Sequence, residues 1–166
     1  MDVDESRLGN EPPVDYVQRV AGLKAEAAAM ALPGRVIIAA DTAVVVDGEV
    51  FGKPVDAEDA SRMLRRLSGR AHKVLTGVVI AHGAHHVGFV DTTVVWFRHL
   101  STADVAWYVA SGEPMGKAGA YAVQGLASRF IPRLEGSYSN VVGLPVARVA
   151  DALAELALGP SGPHRP

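Results

Sequence analysis

Val36-Ile37-Ile38-Ala39-Ala40-Asp41-Thr42-Ala43-Val44-Val45-Val46-Asp47-Gly48-Glu49-Val50-Phe51-Gly52-Lys53-Pro54 places a carboxylate at the end of one apolar run and a lysine beyond a hairpin. The run Val36–Ala40 reads as a buried strand, and burial there is hard to square with a free acid. Asp41 therefore either leaves the core at the strand's end or is held by a cation. Both options point to a site at a strand terminus. Asp47-Gly48, between strands read at 35–46 and 49–51, is a strong hairpin signature.

Upstream, Pro13 opens a helix that runs through Tyr16, Val20, Leu23 and Ala27 to about Leu32, and Pro33-Gly34 stops it. Downstream, Asp56 and Asp59 start a helix bearing Ala60, Met63, Leu64 and Leu67, closed by Gly69. Val74–Ala81 and Val87–Phe97 read as long strands around a turn at 82–86. Ser101-Thr102-Ala103-Asp104 caps another helix, ending at Gly112, and short elements fill 117–140. Pro145 sits near the first turn of a last helix carrying Val149, Leu153, Leu156 and Leu158. Strands alternating with helices, and at least one hairpin, predict an α/β fold with a mixed sheet.

The 166 residues suit one domain, expected over 1–158, followed by a breaker-rich tail at 159–166 that is expected to be disordered. A formal net charge of −2 argues against a bulk nucleic-acid binder, though a small anion needs only a few local cations. The chain has no cysteine, which excludes disulfides, thiolate zinc sites and cysteine nucleophiles and fits a cytoplasmic protein. Its acidic, polar first residues are unlike a signal peptide, and no apolar stretch approaches a membrane span.

Several ionisable residues lie beside glycine, proline or a strand end: Asp41, Lys53 in Gly-Lys-Pro, and Lys117 in Met-Gly-Lys-Ala-Gly. Glu5 precedes the first helix and Lys24 lies within it. Two acids and three lysines suit a phosphate ester with a divalent metal, because carboxylates hold hard cations and lysines neutralise phosphate oxygens. Solvated surface charge is the competing reading for each lysine. Asp41 stands apart because apolar residues flank it on both sides. His82, His85 and His86 fall in a turn without an acidic partner, which favours an exposed hairpin over zinc. Gly112–Gly119 is neither a P-loop nor a dinucleotide fingerprint. No Gly-x-Ser-x-Gly elbow supports a serine triad.

Taken together, these segments resemble the Maf family of nucleoside triphosphate pyrophosphatases, the septum-formation-protein group. The resemblance rests on Lys24-Ala25, Ala40-Asp41-Thr42, Gly52-Lys53-Pro54, Leu67-Ser68-Gly69 and His72-Lys73-Val74-Leu75-Thr76-Gly77. It continues through Gly112-Glu113-Pro114, Lys117-Ala118-Gly119-Ala120-Tyr121, Gln124-Gly125 and Glu135-Gly136-Ser137-Tyr138-Ser139-Asn140-Val141-Val142-Gly143-Leu144-Pro145. It implies a two-lobed, inosine-triphosphatase-like fold around a long twisted mixed sheet, with the active site between the lobes. It also implies hydrolysis of a nucleoside triphosphate to monophosphate and pyrophosphate with Mg²⁺ or Mn²⁺.

By the same resemblance, Asp41 is the catalytic aspartate, as general base or metal ligand, and Glu5 is its companion acid on the metal. Lys24 and Lys53 contact phosphates; Lys117, singled out above by its place beside glycine and not by the resemblance, is expected to join them in binding substrate. Thr42 and Gln124 match positions that distinguish substrate subgroups, here the dTTP/UTP branch. Gln124 can offer both a donor and an acceptor to a pyrimidine edge. The expected partner is a nucleotide, with no nucleic acid or membrane and with room for a homodimer.

The chain departs from the family pattern at its beginning. The family opens with an apolar strand and a Ser-x-Ser-Pro-Arg-Arg loop, whereas Met1-Asp2-Val3-Asp4-Glu5 already lies inside the pattern. Arg65-Arg66 reads as the solvated face of a helix and does not replace that loop. The resemblance thus leaves two accounts open: a true start upstream, which the otherwise intact set favours, or a truncated relative that binds nucleotide or regulates division without turnover. A third class is a housecleaning nucleotidase acting on modified nucleotides.

Overall fold

The computed structural model describes residues 3–156; the tail expected at 159–166, and Leu158, lie outside them. Helix α1 (Pro13–Ala31) leads into strand β1 (Ile37–Val46), hairpin strand β2 (Glu49–Phe51) and helix α2 (Ala57–Leu67). Strands β3 (Ala71–His82) and β4 (His85–Trp96) follow, then helix α3 (Thr102–Ala110). Two 3₁₀ turns (Ala118–Ala120 and Leu126–Phe130) precede β5 (Arg133–Glu135), α4 (Tyr138–Val142) and α5 (Val146–Glu155).

Local chemistry sets most of these boundaries. Pro13 occupies the first turn of α1, where its missing N–H costs nothing. Asp47 and Gly48 both take positive φ, 52° and 79°, the geometry of a two-residue hairpin turn. The Asp56 side chain accepts from Asp59 N–H to cap α2, and Ser101 with Asp104 forms a full capping box on α3. Ser137 caps the short α4 in the same way. Arg65 and Arg66 are exposed on α2, as the sequence indicates.

The α/β class is as expected, but among the described residues the sheet is not mixed. Its order is β2-β1-β3-β4-β5, and every neighbouring pair is antiparallel. β2 and β3, joined through α2, run the same way, but β1 lies between them and reverses both pairings. β3 also starts earlier than its apolar run suggests, because Ala71–Lys73 pair with Val94–Trp96 of β4.

Alternation along β1 divides its side chains between two layers. Ile37, Ala39, Ala43 and Val45 face α1, whose buried residues include Val17, Val20, Ala21 and Ala25. Val44 and Val46 face the larger core with α2, α3 and Phe130, while Val78 and Ile80 of β3 pack on α5. Gly77 lets α1 come down on the sheet, since a Cβ there would collide with the Val17 carbonyl. The hairpin partner β2 pairs only with Val44–Val46. Among the described residues, Ile37–Ala43 therefore form an open sheet edge on that side.

Candidate active site

Asp41 lies in the middle of β1 rather than at a strand terminus, because alternation continues through Thr42–Val46 and the strand does not stop at the acid. Its side chain belongs to the row that faces α1 and is only 8% exposed. Of the two options open to a buried acid, the structure shows the second: a cation holds it. Lys24 of α1 places Nζ 2.7 Å from Asp41 Oδ1 and 2.8 Å from Glu5 Oε1. Gly77 is the cross-strand partner of Asp41, so the close approach it permits brings Lys24 within reach.

Electrostatics here are set by burial first. Desolvation raises the Asp41 carboxyl above its ordinary value, and Lys24 offsets this only in part. Burial acts to lower the Lys24 ammonium, but its bonds to the two carboxylates outweigh that and raise it. Tyr16 is raised by burial and by the nearby Asp41 and Glu5 charges.

A cavity of about 330 Å³ opens at this edge of the sheet. Asp41, Lys24 and Glu5 line it, as do Thr42, Lys53, Lys117 and Gln124 from other segments. All seven sequence-predicted residues are thus brought together. Asp41 and Thr42 point to opposite faces of β1, and both reach one cavity because that stretch of edge has no covering strand. Thr42 Oγ1 lies 2.9 Å from Thr76 Oγ1, which donates to the Asn140 carbonyl at 3.1 Å. Glu5, Lys53, Lys117 and Gln124 are exposed, so their side chains face solvent and an incoming ligand.

The donor set suits a hard divalent cation. Two carboxylate oxygens already converge on one ammonium, and Mg²⁺-type ions commonly rest on one or two carboxylates plus substrate phosphates. Among the described residues no three His, Asp or Glu side chains gather into a metal cluster. His85 and His86 are exposed at the β3–β4 turn, in line with a simple hairpin.

Sequence reasoning missed the residues behind the cavity. Tyr121 lines it and bonds the buried His72, Nε2 to OH 2.8 Å. Burial lowers His72 to about 3, so it stays neutral, and its Nδ1 has no partner among the described residues. His72, Phe97 and Tyr121 pack edge to face, with centroids 4.9–5.4 Å apart. The segment His72-Lys73-Val74 was visible as a motif, but nothing local announced a partner in Tyr121.

Comparison with known proteins bears on the chain as a whole. The family model described as Maf-like protein matches residues 1–156. A protein of Anaeromyxobacter dehalogenans named dTTP/UTP pyrophosphatase is 54% identical over 156 residues, covering 92% of this chain and 78% of the relative. Relatives of the same name from Symbiobacterium thermophilum and Chromobacterium violaceum are 47% and 48% identical, each over 93% of this chain and 79% and 80% of their own lengths. None of these names describes a binding protein without turnover.

Proposed function

The chain belongs to the Maf-like family, and from that premise we propose that it hydrolyses dTTP or UTP to the nucleoside monophosphate and pyrophosphate. One observation carries the reading: two carboxylates meet Lys24 inside a 330 Å³ cavity that Lys53, Lys117 and Gln124 also line. That volume lies at the small end of ligand pockets, and its lining matches the charge of a triphosphate.

In this reading the triphosphate lies against Lys53 and Lys117, whose ammonium groups neutralise its oxygens. Glu5 and Asp41 would hold Mg²⁺ or Mn²⁺, which would supply charge neutralisation and acidify a water. Asp41 accepts the proton of the attacking water. Lys24 leaves the carboxylate pair when phosphate enters and turns its charge to the departing pyrophosphate. Gln124 meets the base, its amide oxygen and nitrogen facing the N3–H and O4 of a thymine or uracil edge. Such a reaction belongs in the cytoplasm. No helix among the described residues is long and apolar enough to cross a membrane.

The test is a panel of ribo- and deoxyribonucleoside triphosphates, including modified pyrimidines, with products separated by chromatography. Pyrophosphate and monophosphate from dTTP and UTP ahead of the other bases are expected. Release of orthophosphate, or a preference for purines, would overturn the reading.

A further inference from the structure

The strand and helix that carry Asp41 and Lys24 do not carry Gln124. That residue sits in a loop between two 3₁₀ turns, exposed, with backbone neighbours tied to one carboxylate. Glu113, in the loop after α3, accepts from Leu126 N–H at 2.9 Å through Oε2. Its Oε1 accepts from Tyr108 OH at 2.7 Å and from Ala127 N–H at 3.3 Å. Tyr108 is fully buried, and its hydroxyl accepts from Ala122 N–H at 3.2 Å. The loop is thus held on both sides of Gln124, at Ala122 before it and at Leu126 and Ala127 after it.

Gly125 makes the arrangement possible. Its φ of −104° is open to any residue, so it needs no glycine for conformation. It needs one for space, because a Cβ there would run into all three atoms of the Glu113 carboxylate group. Burial opposes the Glu113 charge, yet the bonds from Leu126, Tyr108 and Ala127 outweigh it and hold the carboxyl below its ordinary value. An anion that accepts this many donors is fixed in place, and so is the loop that donates.

We propose that Glu113, braced by Tyr108, is a positioning residue that holds the 122–127 loop so that Gln124 selects the base. The proposal rests on the pyrimidine-triphosphate reading above and assigns its selectivity to a group that never touches the nucleotide. A glutamine at 113 can still accept from one side, but its NH₂ would face the Leu126 N–H or the Ala127 N–H with no acceptor to offer. An alanine at 125 pushes the carboxylate away at little steric cost, since the colliding group is the far end of a flexible side chain.

The experiment uses Glu113→Gln and Gly125→Ala in the full chain, with two readouts. The first is the ratio of kcat/KM for dTTP to that for dCTP, which does not depend on the fraction of active enzyme. It is expected to fall about tenfold in each variant, as one well-placed hydrogen bond is worth up to that factor. KM for dTTP should rise more than kcat falls. The second is amide hydrogen exchange, expected to quicken at Leu126 and Ala127 while β1 and α1 are unchanged.

Exchange at wild-type rates in both variants overturns the clamp. Faster exchange with an unchanged ratio overturns its role in selection. Exchange reads the clamp whether or not nucleotide is hydrolysed. A wild-type chain without turnover therefore counts against the pyrophosphatase reading, while the exchange result still upholds or overturns the clamp.

Discussion

Lys24→Met removes the ammonium that joins Glu5 to Asp41 and keeps an unbranched side chain of similar length. Breaking a buried pair costs about 3–5 kcal/mol and an exposed one about 0.2–1. This pair lies between those limits, with side-chain exposure of 30% at Lys24 and 9% at Asp41. A loss of about 2 kcal/mol follows, or roughly 4–8 °C in Tm for a chain of this size.

The sign with pH follows from the two groups. Lys24 is raised above 10.5, so its contribution is fully present at neutral pH, starts to fade only above 10.5 and is lost as pH rises through the raised value. Asp41 is raised above 3.8, so protonation relieves its burial as pH falls toward and through its folded value. Without Lys24 the Asp41 carboxyl rises further, and once protonated it needs no cation. The gap between variant and wild type should be full at about pH 7 and close toward about pH 4. Urea unfolding at both pH values measures it. A gap that is the same at both, or absent at both, would refute the account of Asp41 as a buried acid held by Lys24.

Gly77→Ala should cost about 1–3 kcal/mol and lower pyrophosphate release, because the new Cβ drives the Val17 carbonyl and α1 away from Asp41; an unchanged Tm would count against this. Asn140→Ala removes two buried hydrogen bonds, to the Val74 carbonyl at 3.2 Å and Thr93 Oγ1 at 3.0 Å, and leaves a void. A loss of about 2–4 kcal/mol in urea unfolding is expected. Ser101→Ala, which removes the capping box of α3, should cost about 1 kcal/mol and leave the dTTP-to-dCTP ratio unchanged.

What could be read from the chain was what neighbours in sequence decide. Asp47-Gly48, Asp56 with Asp59 and Ser101 with Asp104 each announce a turn or cap, because the bond that makes it lies within three residues. Of the seven candidate residues, the two acids and three lysines could be grouped by charge and by place beside glycine, proline or a strand end, whereas Thr42 and Gln124 entered only through the family pattern; nothing local says that Gln124 faces the same cavity as Asp41. The antiparallel pairing of β1 with both β2 and β3, and the early start of β3, depend on partners tens of residues away. The same holds for the bond between His72 and Tyr121 and for the clamp of Glu113 on Leu126. The mid-strand place of Asp41 was missed for a further reason: an acid inside an apolar run looks like a boundary until its cation on α1 is known.

The account turns on Asp41, and Asp41→Asn tests it most directly. At neutral pH its ionised carboxylate is disfavoured by burial, so the amide should leave the unfolding midpoint no lower than in the wild type. Pyrophosphate release from dTTP or UTP should fall by at least about 10²-fold in the same sample, the scale of a lost general base. A folded variant that releases pyrophosphate at the wild-type rate would contradict the account.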